Sequence, residues 1–429
     1  MTTTFAVPRT EAEGRHGAWA ARLAFLGSVA IVLTFSQFWL MPLTGPKGDP
    51  EASSLIRALF FPAYGVAVVL AATRPLETLG AAIRGPLLWL LVGYTFVSML
   101  WSVDPETTQR RAIALLFTTI GALAIAARWR WPTLIEVFAA TFAVVTVASY
   151  ALALLIPSYG KMTELFPGAW RGVFLEKNAL GDHMTLGFIV FAAAAILNER
   201  RRWLWIAFAA MAVGLVLFST SKTSLVTLVI GAACLGFVWL GRRGPAMAVA
   251  TVFAAVTGLL VLAVAVVFAS DAFFALLGKD ATLTGRTKIW GAVVRMVDQR
   301  PWTGFGYGAI WTNESGWAPL AWITKWATFR AHHAHNSWLE TWLALGYPGL
   351  LLWTAYFVEV WGRTLWSVFT SKAAYFALPF LAVYTLSTLT ESVAVIYNDL
   401  YWVILAATGI RLTLPNREEE GAGLAAGAP

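Results

Sequence analysis

Three of the chain's five histidines fall within four residues, His332-His333-Ala334-His335, and Asn336 follows directly. Histidine is the usual proton acceptor near neutral pH, and a positioned one supplies roughly 10²–10⁴ in rate as a general base. A zinc site would ask for a tetrahedral ligand set or an i, i+4 pair on a helix, and this run offers neither. The single cysteine, Cys234, rules out a cysteine cluster and an internal disulfide. No metal and no cofactor are therefore expected. General-base chemistry fits the cluster better, with His332 and His333 read as surface histidines.

Three other places are richer in polar groups than their surroundings need. The segment Trp170-Arg171-Gly172-Val173-Phe174-Leu175-Glu176-Lys177-Asn178 carries charges into an apolar run that continues through Asp182 and His183. Ionisable groups are costly at membrane depth and face a cavity or a partner. Arg171 and Lys177 either grip an anionic head group, or reach lipid phosphates and pair with Glu176 and Asp182. The turn Ser219-Thr220-Ser221-Lys222-Thr223-Ser224 offers hydroxyls and one ammonium to a phosphate or a sugar, or simply caps a helix. Gly285-Arg286, followed by Pro301-Trp302-Thr303-Gly304-Phe305-Gly306-Tyr307-Gly308, spaces its glycines so that backbone can approach a ligand closely. It lacks the Lys-Ser/Thr ending of a P-loop, and no strand precedes it as a dinucleotide fingerprint requires.

The elements that must position these residues are membrane helices. The 429-residue chain is 59% hydrophobic and 13% charged, against roughly 45–50% and about 25% in soluble domains. Its 22 tryptophans gather at the ends of apolar runs, as Trp19, Trp39, Trp101 and Trp239 do, where an indole straddles the membrane interface. The net charge of +8 is spread over short loops without a basic stripe interleaved with aromatics, so nucleic acid is not an expected partner. Runs of the required length of about 20 residues fall near 19–41, 54–72, 86–101, 110–127, 133–156, 178–197, 203–219, 224–241, 246–269, 337–360, 373–390 and 399–413. The expected fold is an all-α, polytopic integral-membrane helix bundle of about twelve spans. Residues 1–18 lead it, 19–269 form nine spans, 270–336 a large loop, 337–413 three more spans, and 414–429 a disordered tail.

Lysine and arginine placement orients the bundle. With the N-terminus inside, sixteen fall on the cytoplasmic side and eight on the other, once the seven in the long 270–335 segment are set aside. Both termini are thus expected in the cytoplasm, with the long segment outside. Within it, 285–299 carries a helical pattern with Ile289, Trp290, Val293, Met296 and Val297 on one side; Thr284 is placed to cap it and Pro301 to end it.

Taken in this order, the four polar places resemble the O-antigen ligase and polysaccharide polymerase superfamily. The ligase signature is His, then Asn, Ser or Gln, nine residues, Gly, two residues, then Gly, Thr or Tyr. It reads here as His335-Asn336, residues 337–345, Gly346, Tyr347-Pro348 and Gly349. RGVFLEKNALG, the SKTS turn and GR…W…P…GFGYG look like the exopolysaccharide-polymerase branch, and the likeness runs from about 170 to 350. It implies a metal-independent transfer of glycan from an undecaprenyl-diphosphate carrier to a sugar acceptor on the periplasmic face of a bacterial inner membrane. By resemblance, Arg171 and Arg286 hold the diphosphate, with Lys177 and Lys222 as secondary ligands. His335 deprotonates the acceptor hydroxyl, and Asn336 orients it or the sugar. Asn178, Ser221, Gly304 and Gly306 complete the expected substrate-binding set.

Two alternatives stay open at this point. One is ligation of O-antigen to lipid A–core, which shares the donor chemistry and differs in the acceptor. The other is a flippase or secondary transporter, for which inverted repeats and mid-membrane ionisable groups are the signature; no repeat is visible. Other polysaccharide-assembly membrane proteins are candidate partners.

Overall fold

A computed structural model describes residues 11–45, 54–164, 166–268, 285–311 and 318–415. The capping position Thr284 and most of the two terminal segments lie outside these residues. Among them the fold is helical, with one isolated antiparallel bridge, Lys161 to Trp170. In chain order the helices are α1 (Glu11–Phe35), α2 (Phe61–Ala72), α3 (Pro75–Ile83), α4 (Pro86–Val97), α5 (Pro105–Arg128), α6 (Trp131–Leu155), α7 (Lys177–Leu197), α8 (Arg202–Ser219), α9 (Lys222–Gly241), α10 (Pro245–Phe268), α11 (Arg286–Val297), α12 (Pro319–Ala327), α13 (Ser337–Thr370), α14 (Ala374–Thr390) and α15 (Leu400–Thr413). Short helical pieces, such as Ser54–Ala58 ahead of α2, sit between some of them.

The punctuation is local chemistry. Proline stands in the first turn of α2 to α6, where its missing N–H costs nothing. Asp104 caps α5 by accepting from Thr107 N at 3.0 Å, and Asp399 caps α15 by accepting from Tyr401 N at 2.8 Å. Pro62 stands in the first turn of α2, within the Ser54–Ala72 span, where the short helix Ser54–Ala58 gives way to α2.

Eight helices are long and apolar enough to cross a membrane, and a bent pair makes a ninth. Three shorter apolar helices, Pro245–Gly258 within α10, then α14 and α15, accompany them among the described residues, and the chain is a multi-pass membrane protein. Two spans differ from the sequence reading. The third, expected over 86–101, is helical over that stretch but forms one limb of a bent pair. α3 precedes α4 and meets the Pro86–Trp101 segment at 87°, broken at Arg84-Gly85-Pro86. α13 runs on to Thr370, well past 360. Burial follows lipid as solvent: Trp353, Trp402, Tyr384 and Phe138 are enclosed, while Phe61, Val229, Leu351 and Trp366 look outward.

Hydrogen bonds sort the connections into two ends. At one end Gln37 Nε2 donates to Asn398 O at 2.8 Å, Trp101 Nε1 to Thr303 O at 2.7 Å, and Val103 N to Phe305 O at 3.0 Å. Trp170 N there donates to Phe218 O at 3.0 Å. At the other, Arg128 binds Thr73 Oγ1, Arg201 meets Glu136, and Arg242 donates to Ser371 O. Every polar place singled out from the sequence lies at the first end. There α11 forms as expected, burying Ile289, Val293, Met296 and Val297, with Ala292 where Trp290 was expected.

Candidate functional site

The site is built where the N-terminus of α13 meets the loop after α14. Asn336 caps α13, its Oδ1 accepting from Trp338 N at 3.0 Å and Leu339 N at 3.1 Å. That commits the oxygen the sequence reading assigned to substrate, and Asn336 acts here as a helix cap. Just before it, His335 holds a left-handed backbone, φ 50°, which is uncommon outside glycine and clusters at functional sites. Glu340, one turn into α13, takes Ala334 N at 2.8 Å, Ser392 Oγ at 3.1 Å and Trp311 Nε1. Trp290 Nε1 donates to Ala334 O at 3.0 Å, so α11 holds the histidine loop from its other side.

The loop 391–399 is pinned to the same helix start. Ser337 Oγ donates to Glu391 O at 2.8 Å and accepts from Val393 N at 2.9 Å and Ala394 N at 3.1 Å. Tyr307 Oη donates to Val395 O at 2.8 Å, fixing a valine with φ 49°, a conformation costing a β-branched residue roughly 1–2 kcal/mol.

These anchors bring Glu391 between two residues singled out from the sequence. Arg286 Nη2 donates to its Oε1 at 2.7 Å, and His335 Nδ1 lies 2.9 Å from its Oε2. Burial pushes the Glu391 carboxyl up, but the His335 hydrogen bond and the Arg286 charge outweigh it and hold it below the usual carboxylate range. An ionised carboxylate only accepts, so in the neutral imidazole His335 Nδ1 carries the proton and Nε2 the free lone pair. The side chains of His335 and Glu391 are each 31% exposed, so that lone pair can be reached. The His333 ring lies against that of His335, centroids 3.8 Å apart and tilted by 47°, and its Nδ1 accepts from His335 N at 3.3 Å. Burial first, then the charges of its neighbours, pushes its imidazole down to about 4. His332 is exposed.

One expectation about this loop changes. HHAH alone has no ligand set, but Glu391 supplies the missing third donor from 56 residues away. Ligand atoms of His333, His335 and Glu391 all lie within 4.8 Å of one another.

The glycines serve a purpose other than ligand approach. Gly346 takes φ 66° and ψ −169° inside α13, breaking the helix ahead of Pro348. The break releases the carbonyls of Leu343 and Ala344. Phe305 N donates to the first at 3.0 Å and Gly306 N to the second at 2.9 Å, while Tyr347 N turns to Pro301 O at 2.9 Å. Gly304 and Gly306 thus approach α13, not a substrate. A Cβ on Gly304 would stand 2.6 Å from Ala344 C.

Arg171 is 5% exposed, with Nε on Tyr159 O at 2.6 Å and Nη2 on Ser158 O at 3.0 Å. Burial lowers its pKa. Its hydrogen bonds run to these carbonyls and none joins it to Arg286, Glu391 or His335, whereas Arg286 and His335 meet directly on Glu391. Around Arg171 the loop presents Lys177, whose Nζ donates to Thr220 Oγ1 at 3.2 Å and lies 3.8 Å from the Phe166 ring centre. Lys177 and Lys222 repel each other across this corner, and Asn178 and Lys222 are exposed. Ser221 is buried and caps α9, its Oγ accepting from Ser224 N at 3.4 Å; Ser224 Oγ donates to Asp182 Oδ1 at 2.7 Å and can accept from Ser221 Oγ at 2.8 Å. The two corners flank Tyr401, which His183 contacts edge-on and which lies within electrostatic range of both Asp182 and Glu391.

Glu391 and Glu340 were missed from sequence. The signal for Glu391 was present: it is an ionisable group at the outer end of the apolar run 373–390.

With this geometry in hand, likeness to known proteins can be weighed. Residues 206–354 match the O-Antigen ligase family model, a stretch that includes Ser221, Lys222, Arg286, His335 and Asn336. The "Exopolysaccharide production protein ExoQ" of Rhizobium meliloti (strain 1021) is 31% identical over 277 residues. That alignment covers 62% of this chain and 62% of the relative, less than two thirds of its length. Both matches bear out the resemblance to the O-antigen ligase and polysaccharide polymerase superfamily and to its exopolysaccharide branch.

Proposed function

We propose that this membrane enzyme of the polymerase and ligase type transfers glycan from an undecaprenyl-diphosphate carrier to a sugar hydroxyl, polymerising exopolysaccharide repeat units. The observation that carries the reading is the Arg286–Glu391–His335 arrangement. In the proposed reaction His335 Nε2 takes the proton of the acceptor hydroxyl as its oxygen bonds the anomeric carbon. The bond from that carbon to the diphosphate oxygen breaks, and the carrier leaves as the diphosphate. Glu391 keeps the imidazole in the accepting tautomer and stabilises the imidazolium that forms, as the carboxylate of a hydrolase triad does. Arg286, planar and permanently charged, faces the charge that develops on the leaving group. Lys177, Asn178 and Lys222 meet the carrier phosphates, and Arg171 positions their loop through the 158–159 carbonyls. No step in this scheme requires a metal.

The site faces the periplasm of a bacterial inner membrane in this proposal, with both termini in the cytoplasm. Working beside other polysaccharide-assembly membrane proteins fits such a role. Ligation to lipid A–core is the second reading, favoured by the description of the matched family. The test uses purified protein with an undecaprenyl-diphosphate oligosaccharide, offered either a second lipid-linked repeat or lipid A–core. A ladder of products with the first acceptor is expected, and product only with the second would establish the ligase. His335→Ala is expected to lower product per folded protein by roughly 10²-fold or more; near-normal turnover would remove the base from the mechanism.

A further inference from the structure

We infer that His333, His335 and Glu391 form a zinc site whose occupation switches the proposed transferase off. The inhibitory part rests on the proposed function; the site itself rests on geometry. Two imidazoles and a carboxylate are a donor set that zinc accepts with a fourth position open. Here the three donors come within 4.8 Å of one another at a partly exposed end of the bundle. Two of them already touch, His335 Nδ1 and Glu391 Oε2 at 2.9 Å. Closing on zinc at about 2.0–2.1 Å asks the 332–335 loop to draw in by about an ångström. Arg286 stays on Glu391 Oε1, leaving Oε2 for the metal, and its positive charge keeps the site weaker than a structural zinc site.

The inhibition follows from which nitrogen faces the carboxylate. Zinc held with Glu391 takes the Nδ1 lone pair of His335. The proton that sat on Nδ1 moves to Nε2, so the imidazole stays neutral and no proton is released. Nε2 then carries a hydrogen and cannot accept one from a sugar hydroxyl. His333 is needed for the metal and has no part in the proton transfer, which separates the two properties.

The experiment titrates zinc into protein purified without a histidine tag, reading binding by competition with a fluorescent zinc indicator and turnover in parallel. Wild type is expected to bind one zinc per chain and to lose product formation as it does so, with recovery on adding a chelator. His333→Ala is expected to bind zinc roughly tenfold more weakly or worse, and to need correspondingly more zinc for inhibition relative to its own zinc-free rate. His332→Ala should match wild type in both. Equal zinc affinity in wild type and His333→Ala overturns the site. Bound zinc that leaves turnover unchanged or raises it overturns the switch. Binding is read without turnover, so a chain that binds zinc as stated but makes no product sinks the transferase reading and leaves the site standing.

Discussion

The two corners at the polar end of the bundle are both cationic by sequence but are built differently. At the α11–α13 corner, Arg286 is matched by Glu391, and hydrogen bonds from three segments fix every partner. At the α7–α9 corner, Lys177 and Lys222 form no ion pair among the described residues and repel each other. A charge-balanced, tightly held group suits proton transfer, where an ångström of error is costly. Two unmatched ammonium groups at the starts of two long helices suit holding an anion, because the helix N-termini add partial positive charge. The difference argues that chemistry and grip are divided between the corners.

Breaking the balanced corner should have the largest effect. Glu391→Gln keeps the shape but makes the partner of His335 neutral and ambiguous in its donor–acceptor sense. Turnover should fall by roughly 10²-fold with KM little changed. A comparable rise in KM instead would move Glu391 to the binding side. The same variant gives a stability test. The folded pKa of Glu391 is depressed, so its contribution is present above the ordinary carboxylate range, about 4.3, and is lost as pH falls through the lower folded value. The melting difference between wild type and Glu391→Gln should persist at neutral pH and shrink only below about pH 4; a difference that vanishes nearer pH 6 would contradict the assignment.

A smaller effect is expected at the other corner. Lys177→Ala and Lys222→Ala should each raise KM for the lipid-diphosphate donor by roughly tenfold, the worth of a charged hydrogen bond, with kcat nearly intact. Lys→Arg at either position should recover most of the loss, since charge is what the corner supplies. A fall in kcat without a change in KM would erase the division between corners. The smallest effect belongs to His332→Ala, whose side chain is exposed. Activity should stay within about twofold of wild type, measured beside His335→Ala on the same product ladder.

The spans were legible because a bilayer demands long apolar runs. Arg286 and His335 were legible through residue type and motif spacing. Glu391 stood out only as an ionisable group ending an apolar run; nothing local links it to His335, and only the packing of α13 against α14 does. Arg171 has the composition of a phosphate ligand and spends it on carbonyls 12 and 13 residues back, a choice set by where α6 ends. The 87° bend was hidden because α3 is amphipathic and looks like a cytoplasmic connection.

The helix break at Gly346 has a mechanical consequence. Ahead of it, the first turns of α13 are fastened to Phe305 and Gly306, and through Trp290 and Ala334 to the helix that carries Arg286. Behind it, the remainder of α13 continues into the bilayer. The break therefore leaves base and arginine on one hydrogen-bonded layer, which Trp101 and Val103 tie in turn to the bundle, so a load on either is shared by both.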